Sequence, residues 1–197
     1  MKRNLLLFTI LSVFCFGCHS DNVQYSWNFC GNNTINYNST SFVIDGYHNF
    51  FDGLDCAKEQ NKPVLVFFTW HAAPDRMFED KVLTNSKVQK ILKEHFVPIV
   101  LYVDDRKPIN YLDMDKFSET LPMTYGREKP IKTIGNLNAV IQMELAFSNT
   151  QPMFMTITHD GKLLGNSIGR NKKHLFNNWL EASLANFKAD NYLFDIM

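Results

Sequence analysis

The chain has 197 residues, of which 45% are hydrophobic, so it is long enough for one ordinary domain and apolar enough for a buried core. This composition excludes a generally disordered chain. The 20 basic and 20 acidic residues cancel, so no large field of one sign favours nucleic acid or an anionic membrane surface. We therefore expect no nucleic-acid partner.

The N-terminus has the pattern of an export signal. A basic start at Lys2 and Arg3 is followed by an almost wholly apolar stretch from Leu5 to Phe16. That stretch is too short for a membrane-spanning helix, which needs about 20 residues. We therefore predict a signal peptide at residues 1–17 and export of the chain.

The apolar stretch ends at Gly17 and Cys18, and a small residue before a cysteine at this place resembles a bacterial lipoprotein signal. The resemblance implies that Cys18 is acylated and becomes the first residue of the mature chain. The protein would then be lipid-anchored in the bacterial cell envelope, in the periplasm or at the outer membrane. Cys15 departs from the pattern, because such signals usually carry an aliphatic residue there. The alternative is an ordinary signal peptide that is cut nearby.

Two cysteines, Cys30 and Cys56, remain after this processing, in a compartment that permits disulfides. In one interpretation they pair and tie the N-terminal segment to the first helix. In the other, Cys56 is a small buried apolar residue and Cys30 is free. Residues 18–44 are rich in Asn, Ser, Thr and Tyr, and we predict a spacer with at most a short strand near residues 41–44.

A folded domain is predicted from residue 45 to residue 190, beginning with a helix, a strand, a helix and a strand. Apolar residues at helical spacing from Phe50 to Ala57 predict the first helix, which Asn61-Lys62-Pro63 stops. The continuously apolar runs at 63–70 and 96–105 predict two buried strands. A helix connects them, so we expect the strands to be parallel.

The second half of the chain predicts a long insertion and then a helix, a hairpin and a last helix. The insertion, at about 106–135, is polar and proline-punctuated, and we expect it at the rim of the fold with a short helix at 111–121. The later elements are a helix at Asn136–Phe147, a hairpin at 152–168 and a helix whose apolar stripe runs from Leu175 to Phe187. The predicted class is α/β: a central mixed sheet with helices on both faces, in the order of a thioredoxin fold.

Four stretches make this likeness specific: "NKPVLVFFTW", "MFEDKVLTNSKVQKILKEHFVPIVLYVDD", "YGREKPIKTIGNLNAVIQ" and "NTQPMFMTITHDGKLL". They resemble the thioredoxin-like domain at the C-terminal end of the thiol:disulfide interchange protein DsbD and related exported lipoproteins of Bacteroidetes type. The likeness covers about residues 45 to 188. It implies a thioredoxin-like fold with an extra N-terminal segment.

The resemblance also locates the family's redox site, which is changed in this chain. Pro152 matches the cis-proline, and Ala72-Ala73-Pro74-Asp75 falls on the cysteine-containing turn, after a gap in the alignment. Active members have Cys at the first and fourth positions of that turn. Disulfide exchange needs a thiolate at a helix N-terminus and a second thiol, and no cysteine follows Ala57. The resemblance thus implies the fold without its reaction.

Other chemistry at this turn has weaker support. His71 and Asp75, four residues apart, would bind a metal or act as acid and base if both lay on one helix face. Pro74 starts the helix between them, which favours a solvated loop histidine and a capping aspartate instead. We expect no metal and no cofactor. Trp70 is either an exposed stacking surface beside Pro152 or a residue packed in the core.

Three hypotheses for the function follow. In thioredoxin folds the residue before the cis-proline, here Gln151, exposes backbone groups that pair with an extended peptide. The first hypothesis is therefore a redox-inactive, exported lipoprotein, anchored through Cys18, that binds a protein or peptide non-covalently or acts like a chaperone. The second is an enzyme of the disulfide-interchange or cytochrome c biogenesis type that uses Cys30 or Cys56. The third is a structural subunit of an envelope complex. The missing turn cysteines argue against an enzyme.

Overall fold

The computed structural model of the protein describes residues 46–71, 82–83, 85–121 and 130–194. The predicted signal peptide with Cys18, the predicted spacer with Cys30, and the predicted strand near residues 41–44 lie outside these residues. The turn Ala72-Ala73-Pro74-Asp75 also lies outside them. These predictions therefore remain predictions.

The sheet has four strands in the order β2-β1-β3-β4. Their bounds are Val64–Thr69 for β1, Val97–Tyr102 for β2, Met153–Ile157 for β3 and Ile168–Gly169 for β4. Strand β2 is parallel to β1, β3 is antiparallel to β1, and β4 is antiparallel to β3. All six residues of β1 are buried, as the continuous apolar run predicted. A parallel pair extended by an antiparallel hairpin is the arrangement of the thioredoxin fold, so the predicted fold class is confirmed.

Helix α1 spans Phe50–Gln60 and has an asparagine as the capping residue at each end. The side-chain oxygen of Asn49 accepts hydrogen bonds from the backbone N–H groups of Phe51 and Asp52, which caps the first turn. Asn61 ends the helix in a left-handed conformation with φ of 48°. Just before α1, the backbone of Tyr47 bonds to Pro98 and Val100 and so extends the sheet beyond β2.

The helices cover both faces of the sheet. Their bounds are Ser86–His95 for α2, Tyr111–Thr120 for α3, Ile134–Ala146 for α4 and Phe176–Phe194 for α5, with a 3-10 helix at Arg170–Leu175 before α5. One apolar core cluster joins the sheet to α1, α3 and α4, and a second joins the opposite face to α2 and α5. We predicted that the apolar stripe of the last helix is buried, and this is wrong for Leu175 and Ala182, which are exposed. Leu175 belongs to the 3-10 helix, whose turn differs from that of α5.

The insertion is closed at its base and contributes to the core. An isolated antiparallel bridge joins Pro108 to Thr133, and the backbone N–H of Gly135 donates to the carbonyl of Asp105 at 2.9 Å. A Cβ at Gly135 would lie 2.6 Å from that carbonyl oxygen, so only glycine fits this approach. Helix α3 places Phe117 at 0% exposure in the core against α1 and α4. The expectation of a segment confined to the rim is therefore incomplete.

We expect Phe117→Ala to lower the free energy of unfolding by about 3–5 kcal/mol, because it removes a fully buried aromatic side chain and leaves a cavity. Leu112→Ala on the same helix is the matched control, since Leu112 is 67% exposed, and should change stability by about 0.5 kcal/mol or less. Chemical denaturation of both variants measures the difference. Equal stability of the two would show that α3 does not pack into the core.

Candidate functional site

The two parallel strands end at the same edge of the sheet. The backbone N–H of Val103, just after β2, donates to the carbonyl of Thr69, the last residue of β1, at 3.0 Å. Beyond this bond the chain continues as Trp70 and His71 on one side and as Asp104 on the other. The chain therefore leaves β1 beside the end of β2, and His71 is the last described residue before the predicted turn.

His71 is held against Asp104 by main-chain and side-chain contacts. Its backbone N–H donates to both carboxylate oxygens, at 3.0 and 3.2 Å, and its Nδ1 lies 2.9 Å from Oδ1. The side chains of His71 and Asp104 are 42% and 39% exposed. A carboxylate at this distance favours the tautomer with the proton on Nδ1. The predicted loop histidine is thus accessible to solvent but fixed in orientation.

The His71 ring also stacks on Tyr102, the last residue of β2. The ring centroids are 4.0 Å apart, and the planes differ by 17°. Tyr102 stacks in turn with His48, at 5.5 Å and 28°, and Nδ1 of His48 lies 3.1 Å from the carbonyl oxygen of Val100. The aromatic contacts and the Asp104 bonds together fix the first residue after Trp70 from two directions.

The Asp104 carboxyl titrates at lower pH than a free aspartate. Burial acts to raise its pKa, but the hydrogen bonds from the backbone and the ring of His71, with the attraction of its charge, outweigh burial. The pKa of Asp104 therefore lies below the ordinary value of 3.8. The carboxylate stays charged, and the contact stays made, throughout the neutral range.

The segment before β3 lies at the same edge of the sheet as Trp70. The Gln151–Pro152 peptide bond is cis, and β3 begins with Met153 opposite Phe68 of β1. Trp70 follows Phe68 by two residues and Gln151 precedes Met153 by two residues, so both lie beyond this last pair. Trp70 is 42% exposed, so the structure favours the stacking surface over the packed core. We call Trp70, His71, Asp104, Gln151 and Pro152 the proline edge.

One buried amide from α4 supports this segment. Gln142 is 0% exposed, and its Nε2 donates to the carbonyl of Thr150 at 2.8 Å. The same nitrogen lies 3.6 Å from Sδ of Met153, and Oε1 accepts from Nε2 of Gln151 at 2.7 Å. All of these side-chain contacts are with residues 150–153, which include the cis peptide bond.

Cys56 lies on α1, at 2% exposure, and is not one of the residues of the proline edge. It is disulfide-bonded, and its partner is not among the described residues, so the pairing with Cys30 stays a prediction. The described residues include no group of three or more His, Cys, Asp or Glu side chains that could hold a metal ion. Within the same part of the chain, no helix is long and apolar enough to cross a membrane.

Of the residues predicted for the site, Trp70, His71, Gln151 and Pro152 lie at the same edge of the sheet. The sequence reasoning missed Asp104 and Gln142. An acidic residue two positions beyond the end of a buried parallel strand was the available signal for Asp104, because neighbouring parallel strands end at the same edge. Gln142 gave no such signal, because one amide in a helix is ordinary in a sequence.

Comparisons with known proteins add little beyond the fold. No protein-family model matches the chain, and no curated protein matches it. Among solved structures, a chain described as "DsbH Oxidoreductase" is similar at 14% sequence identity and a TM-score of 0.46. The match covers 79% of this chain and 95% of that chain. The fold assignment rests on the strand order and register given above.

We expect the Asp104 contact to stabilise the fold above pH 3.8 and to lose this contribution as the pH falls. The pKa of Asp104 is lowered in the folded state, so its stabilisation is complete above the unfolded value of 3.8 and is lost through the lower folded value. Because the side chain is exposed, Asp104→Asn should cost only about 1 kcal/mol or less at neutral pH. Denaturation of wild type and variant across this pH range measures the difference, which should vanish in acid.

Asp115→Asn is the matched control, since Asp115 is an exposed carboxylate on α3. This variant should follow the wild-type stability at every pH. A stability difference for Asp104→Asn that stays constant down to the lowest pH would contradict the lowered pKa.

Proposed function

We propose that this chain binds an extended segment of a partner protein, non-covalently, at the proline edge. The main observation in support is the open backbone of Gln151. Its main-chain N–H and C=O have no hydrogen-bond partner among the described residues, although Gln151 lies only two residues before β3. Unpaired groups in line with a strand are a template for another strand, and many proteins bind peptides by such strand addition.

Trp70 supports the proposal with an apolar contact surface. An indole that is 42% exposed at the same edge of the sheet as Gln151 can pack against a side chain of the partner. Tryptophan is also enriched among the residues that dominate binding energies. We therefore expect the bound segment to carry an apolar or aromatic side chain next to its paired backbone.

His71 supports the proposal through rigidity. The stack on Tyr102 and the bonds to Asp104 fix the backbone that follows Trp70. A surface that is already ordered loses less conformational entropy when a partner binds. The edge is therefore suited to recognition without a large rearrangement.

The positions of the cysteines support a non-covalent contact. No cysteine occurs after Ala57, and Cys56 is buried and disulfide-bonded on α1 and is not one of the residues of the proline edge. The second hypothesis, an enzyme that uses Cys30 or Cys56, needs an accessible thiol near Pro152. Nothing in the described residues supplies one, so we favour binding.

The proposed location is the bacterial cell envelope. The basic start, the short apolar stretch and the Gly17-Cys18 pair support export and lipid anchoring of Cys18. Residues 18–44 would link that anchor to the first described residue, Gly46. Partners would then be proteins on the exported side of the inner membrane.

The test is binding of reduced, carboxymethylated α-lactalbumin, an unfolded chain without free thiols. The chain without residues 1–17 should bind it saturably in a fluorescence anisotropy titration. Trp70→Ala should weaken the affinity by about tenfold, since an exposed aromatic anchor contributes on the order of 1–2 kcal/mol. Tyr111→Ala is the matched control, because Tyr111 is an aromatic side chain at 87% exposure on α3, and it should bind like wild type.

Absence of saturable binding, or equal loss in both variants, would overturn binding at the proline edge. An insulin reduction assay with a dithiol separates the second hypothesis. We expect no turnover above the uncatalysed rate, because the chain lacks the paired thiols that exchange requires. Measurable turnover would favour the enzyme instead.

A further inference from the structure

Gln142 is unusual for its position in the fold. It lies on the buried face of α4 beside Ile141 and Leu145, where an apolar side chain would fit without any polar group to satisfy. A buried amide is tolerated only when its groups are hydrogen-bonded. Every bond of Gln142 goes to residues 150–153, so its place in the core is tied to that segment.

The contact with Gln151 sets the direction of the Gln151 side chain. Nε2 of Gln151 donates to Oε1 of Gln142 at 2.7 Å, which draws the amide of Gln151 toward α4. The main-chain groups of Gln151, by contrast, are bonded to none of the described residues. Gln142 thus separates the two ends of Gln151: the side chain is bonded to α4, and the backbone is bonded to none of the described residues.

We propose that Gln142 is a positioning residue for the proline edge, which keeps the side chain of Gln151 against α4 so that only the backbone of Gln151 meets the partner. This inference rests on the proposed function and explains how the proline edge selects the segment that it binds. A position that offers only backbone groups recognises the backbone of the bound segment and tolerates many side chains there. Selection then comes from Trp70, which favours an apolar side chain.

Without Gln142, the side chain of Gln151 should compete with the partner for the backbone groups of Gln151. A released amide has two donors and one acceptor, and it can bond to the same backbone groups that the partner uses. The carbonyl of Thr150, the other partner of Gln142, belongs to an exposed residue, so water can replace that bond. The effect on binding should therefore pass through Gln151.

The first measurement does not depend on any ligand. Hydrogen exchange of side-chain amides, followed by NMR, should show slow exchange for the Nε2 protons of Gln151 in wild type. In Gln142→Met they should exchange as fast as those of Asn178, an exposed residue on α5. Fast exchange for Gln151 in wild type would overturn the proposal.

The second measurement is affinity for carboxymethylated α-lactalbumin. Gln142→Met should weaken binding by about fivefold, the equivalent of one hydrogen bond. The double variant Gln142→Met/Gln151→Ala should return to within about twofold of wild type, because the competing side chain is gone. Gln89→Met is the matched control: it removes a buried amide from α2 on the opposite face of the sheet and should leave affinity unchanged.

The outcomes separate this inference from the proposed function. If wild type binds and Gln142→Met binds equally well, or if the double variant is not restored, the positioning role is wrong while binding stands. A merely structural Gln142 would lower the free energy of unfolding in both variants, without rescue of affinity by Gln151→Ala. If wild type does not bind the probe, the proposed function fails, and the exchange measurement still decides whether Gln142 holds Gln151.

Discussion

The arrangement of the proline edge depends on where the chain leaves β1, and the contact between His71 and Asp104 fixes that point. Two backbone bonds and one ring bond join the residues, and the Tyr102 ring supports His71 from a second direction. Strand β1 pairs with β2 on one side and with β3 on the other. The end of β1 therefore determines where the residues that follow it lie relative to both neighbouring strands. This contact therefore fixes the point at which the chain leaves the sheet, next to Trp70.

In the proposed function, this thioredoxin-like fold uses the parts that recognise a chain and not the parts that exchange sulfur. Recognition needs open backbone groups in line with a strand, an apolar surface beside them and a rigid frame. We propose that Gln151, Trp70 and His71 supply these among the described residues. Exchange needs a nucleophilic thiolate, and the sequence has none after Ala57. The proposed function is therefore non-covalent recognition, which these residues can perform without a thiolate.

Local patterns predicted the elements well, because each was decided by its own residues. The apolar run of β1 and the stop at Asn61 are examples, since neither needs information from elsewhere in the chain. Contacts between distant elements were harder. The bond between His71 and Asp104 spans 33 positions, and the role of Gln142 depends on a segment that returns to α4 only in the folded chain. The burial of Phe117 was not predicted either. This residue lies in a polar, proline-containing segment that we expected at the rim, but its side chain is in the core.

The most direct measurement of the central claim is the backbone amide of Gln151, observed by NMR hydrogen exchange with and without carboxymethylated α-lactalbumin. The account predicts fast exchange in the free protein, because that N–H is unpaired among the described residues, and strong protection in the complex, because the bound segment accepts its hydrogen bond. Unchanged exchange of the Gln151 amide in a saturated complex would contradict it, since the partner would then be bound elsewhere.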